Sequence, residues 1–187
     1  MSIQTIDPVT ALIVVDLQKG VLAHPLVHPV SIVVQNAAEL AISFRNRKLP
    51  VVFVTVVGTA PGRTEQTLSK GPRPDDWAEL MPELIAHSED YRVIKKTWDA
   101  FTHTGLEDYL KSKGVTQVVI AGVATSIGVE YTARLAYALG FNVTLATDAM
   151  SDRSTAAHDN SVSYILPRLG ETGTTKEILQ ALNLTGA

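Results

Sequence analysis

Residues 118–140, VVIAGVATSIGVEYTARLAYALG, decide the fold of this chain. The stretch opens with a β-branched apolar run, 118–121, which is typical of a strand buried on both faces. Small residues at 122–126 predict a tight turn. Apolar residues four apart then predict a helix with one apolar face: Ile127, Tyr131, Leu135 and Leu139. Gly140 suits a left-handed cap at its end. Such a strand–turn–helix unit places its turn at the carboxyl edge of a parallel sheet.

The remaining chain alternates strand and helix patterns. Further strands are predicted at 11–15, 51–57, 91–94, 142–146 and 171–173, and further helices at 31–48, 77–86, 106–113, 154–166 and 175–182. Uninterrupted alternation predicts one α/β domain over residues 1–187, a three-layer α/β/α sandwich around a mostly parallel sheet of about six strands.

Composition narrows the function classes. The chain has 187 residues, 45% of them hydrophobic and 19% charged, which is ordinary for a globular protein. A net charge of −3 gives nucleic-acid binding no electrostatic support. Neither a signal peptide nor an apolar run of about 18 residues is present, so we expect no membrane span. There is no cysteine, which fits a cytoplasmic location.

Two residues stand out from the pattern alone. Asp16 follows the apolar run 11–15, so its carboxylate belongs at the carboxyl end of a central strand. Catalysis and capping of the next turn are both open interpretations of it. Gly128 falls in the first helical turn, where it would leave room and uncovered N–H groups for a carboxylate or an oxyanion, or would simply ease packing.

The chain resembles the isochorismatase-like hydrolase superfamily, which includes nicotinamidases, N-carbamoylsarcosine amidases and isochorismatases. The matching motif positions are Asp16, Gln18 and Gly20 (D-x-Q-x-G), Lys95 six residues before Phe101, and Gly122, Val123, Thr125, Val129, Thr132, Ala133 and Ala136 around the turn. The family's nucleophilic cysteine would stand at position 128, which is glycine here, as it is in true isochorismatases.

The resemblance implies a site and a sheet order. The order would be 3-2-1-4-5-6, with Lys95 chosen over Lys96 and a cis peptide between Val123 and Ala124. Catalytic positions would be Asp16, Lys95 and Gly128. The substrate-binding positions we expect are Gln18, Val123, Ala124, Thr125, Ile127, Trp98 and Phe101, with Arg63 added because a loop cation could pair with a substrate carboxylate.

A hydrolase acting on a small acid or carbonyl substrate without a cysteine nucleophile is the function we expect. Asp16 would act either as a general acid on a vinyl ether or as a base that activates water. The alternative is a catalytically silent relative kept for ligand binding or assembly. The zinc-containing branch of the family carries an aspartate and two histidines just after the strand that corresponds to 51–57, and the loop here has no histidine, so the resemblance implies no metal; we expect no cofactor. We also expect a homo-oligomer, dimer or tetramer, with loop 58–77 as a lid or subunit contact.

Overall fold

A computed structural model describes residues 3–65 and 72–184. Its centre is an all-parallel sheet of six strands in the order β3-β2-β1-β4-β5-β6. The strands are β1 Thr10–Val15, β2 Val51–Val56, β3 Tyr91–Lys95, β4 Gln117–Val123, β5 Asn142–Ser151 and β6 Glu171–Gly173. The predicted fold class and strand order are confirmed.

Helices cover both faces of this sheet. They are α1 Lys19–Leu22, α2 Val30–Asn46, α3 Leu106–Ser112, α4 Glu130–Ala138, α5 Thr155–Asn160 and α6 Thr175–Leu184. Successive strand residues point to opposite faces, so β1 feeds two cores. Val14 packs on the side of α2 with Phe44, and Val15 packs on the opposite side with Ala133 of α4. Within the described ranges, no helix has the length and apolarity needed to cross a membrane.

The apolar face predicted for the helix after β4 is only partly confirmed, since Leu135 and Leu139 are half-buried against the core but the other two residues are not. Ile127 and Tyr131 are exposed, whereas Val129, Ala133 and Ala136 are fully buried. The reason is local geometry: Thr125–Val129 forms a wide π-helical turn before α4 begins at Glu130, which rotates the helix relative to a regular 3.6-residue repeat. Small residues then face the sheet and allow close approach. The predicted cap holds, since Gly140 has φ of 88°.

Three other boundaries also differ. The helix predicted at 77–86 is wrong, because only the single 3₁₀ turn Pro82–Leu84 forms there. The helix predicted at 154–166 ends at Asn160 and continues as the wide turn Ser161–Ile165 and the tight turn Leu166–Arg168. β5 extends five residues beyond the predicted end, to Ser151, after a register shift against β4. These extra residues keep β5 paired with β4, Met150 beside Gly122 and Ser151 beside Val123, up to the turn after β4.

Candidate active site

Asp16 follows β1 at the carboxyl edge of the sheet. Its N–H still donates to Val54 O at 2.9 Å, but its φ of 52° lies in the left-handed region, where aspartate is one of the few tolerated side chains. Only 6% of the residue is exposed. The strand thus ends abruptly and leaves a carboxylate buried at its tip.

Lys95 reaches Asp16 from the edge strand. β2 lies between β3 and β1, so the two backbones are about 10 Å apart. The extended lysine covers that distance, and its Nζ lies 2.8 Å from Asp16 Oδ2. Nζ also donates to the carbonyl oxygen of Trp98. Lys95 is 2% exposed whereas Lys96 is exposed, so the prediction of Lys95 as the inward-facing lysine agrees with the structure.

The electrostatic state of Asp16 suits proton transfer. Burial raises the pKa of its carboxyl from 3.8 to about 6, although the charge of Lys95 and its hydrogen bond act in the opposite direction. Oδ2 is engaged by Lys95, while Oδ1 is buried and has no hydrogen-bond partner among the described residues. An unpartnered carboxylate oxygen with a pKa near neutrality can accept or deliver a proton.

Gly128 completes the group, but with less free space than the sequence suggested. An ideal Cβ on Gly128 would lie 3.3 Å from Asp16 Oδ2, 3.0 Å from Val123 O and 3.1 Å from Val15 Cγ1. The position of the family's cysteine is thus in direct reach of Asp16. However, the Asp16 carboxylate and the Val123 carbonyl lie so close that a side chain at position 128 would be crowded.

The turn around Gly128 offers fewer free donors than we expected. The Ser126 N–H donates to Asp152 Oδ2 at 2.7 Å. The N–H groups of Ile127 and Val129 both donate to Ala124 O at 3.1 Å. These three donors are therefore already used within the protein, and Lys95 is the stronger candidate for stabilising negative charge on a substrate.

The cis peptide between Val123 and Ala124 is present, as predicted. Val123 is buried and Ala124 is half-buried at the start of the turn. Thr125 is fully buried, and its Oγ1 lies 2.9 Å from Nδ1 of His158 on α5. Thr125 therefore fixes the turn to a neighbouring helix.

Gln18, one of the expected substrate-binding positions, is fully buried and bonds to backbone groups. Its amide nitrogen donates to Val56 O at 3.0 Å and to Trp77 O at 3.2 Å, and its oxygen accepts from the Val56 N–H at 2.8 Å. The buried amide thus ties the end of β2 to the returning end of loop 58–77. Of that loop, residues 66–71 lie outside the described part of the chain.

The remaining predicted contacts divide into buried and exposed residues. Phe101 is buried and stacks on Phe141 with ring centroids 6.2 Å apart, so it belongs to the core under α4. Trp98 is exposed and meets Tyr131 edge-on at 6.2 Å. Together with exposed Ile127, this pair flanks the turn. Arg63 is exposed on the loop after β2 and makes no contact with Asp16 or Lys95 among the described residues.

Sequence reasoning gave no role to three buried polar residues near this group. Thr132 donates to Gly128 O and accepts from the Ala100 N–H. Asp99 accepts from the N–H groups of Phe101 and Thr102 through one oxygen, and its other oxygen is buried without a partner among the described residues. His158 pairs with Thr125. Their burial and their partners are set by the fold, so the sequence held no signal for them beyond the motif position of Thr132.

The described residues contain no group of three or more His, Cys, Asp or Glu side chains placed to hold a metal ion. Two cavities of about 390 and 410 Å³ lie away from Asp16. The first is lined by residues such as Asp7, Gln117 and Asn142 at the opposite edge of the sheet, so its size does not bear on the chemistry described above.

Fold and site together define a class, the three-layer α/β proteins with an aspartate–lysine pair facing a strand–turn–helix unit. The isochorismatase domain model matches residues 10–177, and this chain belongs to the isochorismatase family. YwoC of Bacillus subtilis, an uncharacterized isochorismatase family protein, is 38% identical over 91% of this chain and 93% of its own length. An isochorismatase family protein from Burkholderia thailandensis superimposes with a TM-score of 0.93 at 38% identity, covering 97% of this chain and 100% of that one.

A third relative comes from a plant. The Arabidopsis thaliana protein named "Probable inactive nicotinamidase" is 30% identical over 82% of this chain and 86% of its own length. Family membership, which we inferred from the motifs, is thus confirmed.

Proposed function

We propose that this protein hydrolyses a small carbonyl substrate, an amide or ester of a small acid, by direct attack of water. The observation that carries the proposal is the state of Asp16. Its carboxyl is buried, has a pKa of about 6, binds Lys95 through one oxygen and leaves the other oxygen unpartnered. At pH 7 such a group is mostly ionised and has a pKa suited to a general base.

The reaction then needs no covalent intermediate. Oδ1 of Asp16 removes a proton from water while the water oxygen adds to the carbonyl carbon. Lys95 stabilises the negative charge that develops on the carbonyl oxygen. The proton passes from Asp16 to the leaving nitrogen or oxygen, and the carboxylate is restored. Gly128 places no side chain against the Asp16 carboxylate.

General-acid chemistry is the second candidate for the same residue. Burial favours the protonated carboxyl of Asp16, and a protonated Oδ1 can deliver a proton to a vinyl-ether carbon before water adds. The two candidates differ in pH dependence, because the base needs Asp16 ionised and the acid needs it protonated.

A silent relative that binds a ligand is the alternative from another class. In its favour, the chain has no cysteine, the space at Gly128 is narrow, and a relative carries an inactive name. A silent binder would not need a raised pKa at Asp16, which is why we favour the enzyme.

The test is a hydrolysis screen of the purified protein against small esters, N-carbamoyl acids, nicotinamide and isochorismate. Asp16→Asn removes the proton-transfer group with little change of shape, and Gly62→Ala, at a position with open space around it, serves as the matched control. We expect turnover of one compound class, lost by about 10²–10⁴-fold in Asp16→Asn and kept in the control. Binding of these compounds without any turnover would instead identify a silent binder.

A further inference from the structure

Thr132 connects the two halves of the candidate site. It lies on α4, fully buried, one turn after Gly128. Its hydroxyl donates to Gly128 O at 2.6 Å and accepts from the Ala100 N–H at 3.1 Å. A single side chain thus joins the turn after β4 to the segment that follows Lys95.

That segment also holds the lysine. The ammonium of Lys95 donates to the carbonyl oxygen of Trp98, two residues before Ala100. Between them, Asp99 accepts from the N–H groups of Phe101 and Thr102 at 2.7 and 2.6 Å, which makes residues 98–102 a compact hydrogen-bonded turn. Movement of Ala100 would therefore move the carbonyl that anchors Lys95.

We propose that Thr132 is a positioning residue that holds Lys95 against Asp16 by locking residues 98–101 to the Gly128 turn. Both hydrogen bonds of the hydroxyl are buried. Removing the hydroxyl would therefore leave Gly128 O and the Ala100 N–H without a partner and out of reach of solvent. Residues 98–101 would then shift, and the Lys95 ammonium would lose its fixed distance from Asp16. The role rests on the proposed function for its catalytic consequence, but it is visible without any substrate.

The test is the titration of Asp16, followed by the carboxyl ¹³C resonance in Thr132→Val, Thr132→Ser and the wild type. Because Lys95 lowers the Asp16 pKa, loosening it should raise the midpoint in Thr132→Val by about half a pH unit or more. Thr132→Ser keeps the hydroxyl and should titrate within about 0.2 units of the wild type. Ser161→Ala is the control, since it removes the hydroxyl of a fully buried residue that donates to Glu130, the first residue of the same helix, and it should leave the midpoint unchanged.

A Thr132→Val protein that melts at a lower temperature but has the wild-type Asp16 midpoint would overturn the proposal and leave Thr132 a purely structural residue. If Thr132→Val does not fold, the proposal is tested in the wild-type protein instead. A coupling between Thr132 and the charge of Asp16 acts in both directions, so it should also be visible at Thr132. The Ala100 and Thr132 amide resonances should then titrate with the Asp16 midpoint, and this titration should vanish in Asp16→Asn. If the amide resonances of Ala100 and Thr132 do not change with pH, the proposal is overturned. A failed substrate screen alters none of these readouts, so the two failures are distinguishable.

Discussion

The Lys95 ammonium lies 2.8 Å from Asp16 Oδ2, and both side chains are buried although their strands are not neighbours in the sheet. Burial and pairing act on the Asp16 pKa in opposite directions, and burial is the larger effect. An aspartate in this position is therefore poised between its charged and neutral forms close to neutral pH, which its ordinary pKa would not allow.

The raised pKa of Asp16 should change how the free energy of unfolding depends on pH. The folded protein keeps a proton on Asp16 up to about pH 6, whereas the unfolded chain releases it near 3.8. The folded state thus binds more protons between these values, so the contribution of Asp16 to the free energy of unfolding falls as pH rises through them. The full shift corresponds to about 3 kcal/mol. In urea unfolding, the free energy of unfolding of Asp16→Asn, relative to that of the wild type, should rise by about 2–3 kcal/mol between pH 4 and pH 7. Parallel pH curves for the two proteins would show that the carboxyl is not perturbed.

Removing the charge of Lys95 should raise the pKa of the Asp16 carboxyl further. Lys95→Met keeps the length of the side chain and deletes the interaction that lowers the Asp16 pKa. We expect the ¹³C titration midpoint of Asp16 to rise above about 6, with Lys96→Met, an exposed neighbour, as the control. An unchanged or lower midpoint in Lys95→Met would mean that the pair does not set the charge of Asp16.

Gly128→Ala should be harmful to both stability and activity. A methyl group would lie 3.0 Å from the Val123 carbonyl and 3.3 Å from Asp16 Oδ2, closer than ordinary van der Waals contact. Overpacking of this kind costs about 1–3 kcal/mol, which exceeds the gain of about 1 kcal/mol in helix propensity. Thermal melts and hydrolysis assays against Gly62→Ala check this. Gain of stability with full activity would show that the space at position 128 is not part of the site.

Oligomerisation remains a prediction. Trp98, Ile127 and Tyr131 are exposed beside the turn, and large apolar side chains of this kind are enriched in subunit interfaces. We expect a dimer or tetramer at micromolar concentration by light scattering, shifted toward monomer in Tyr131→Glu. A monomeric mass for the wild type would leave these side chains without a partner subunit.

The strands could be predicted from local signals, the apolar β-branched runs, whereas the sheet order and the Asp16–Lys95 pair were expected only because the short motifs resemble those of a known family. The helix phase after β4 could not be predicted, since the wide turn Thr125–Val129 changes the rotation before α4 begins. The pairing of Gln18 with Trp77 and of Thr132 with Ala100 also escaped, because each joins residues distant in sequence. A hydroxyl or amide in a motif does not reveal whether it contacts a ligand or the backbone.

The pH dependence of kcat/KM on the best substrate from the screen tests most directly whether Asp16 is the proton-transfer group. For a general base with the pKa of Asp16, kcat/KM should rise about tenfold per pH unit below about pH 6 and level off above it. The break should disappear in Asp16→Asn, along with about 10²–10⁴-fold of the rate. A fall over the same range would assign the acid role instead. A flat profile between pH 5 and pH 7, or a break that persists in Asp16→Asn, would contradict catalysis by Asp16.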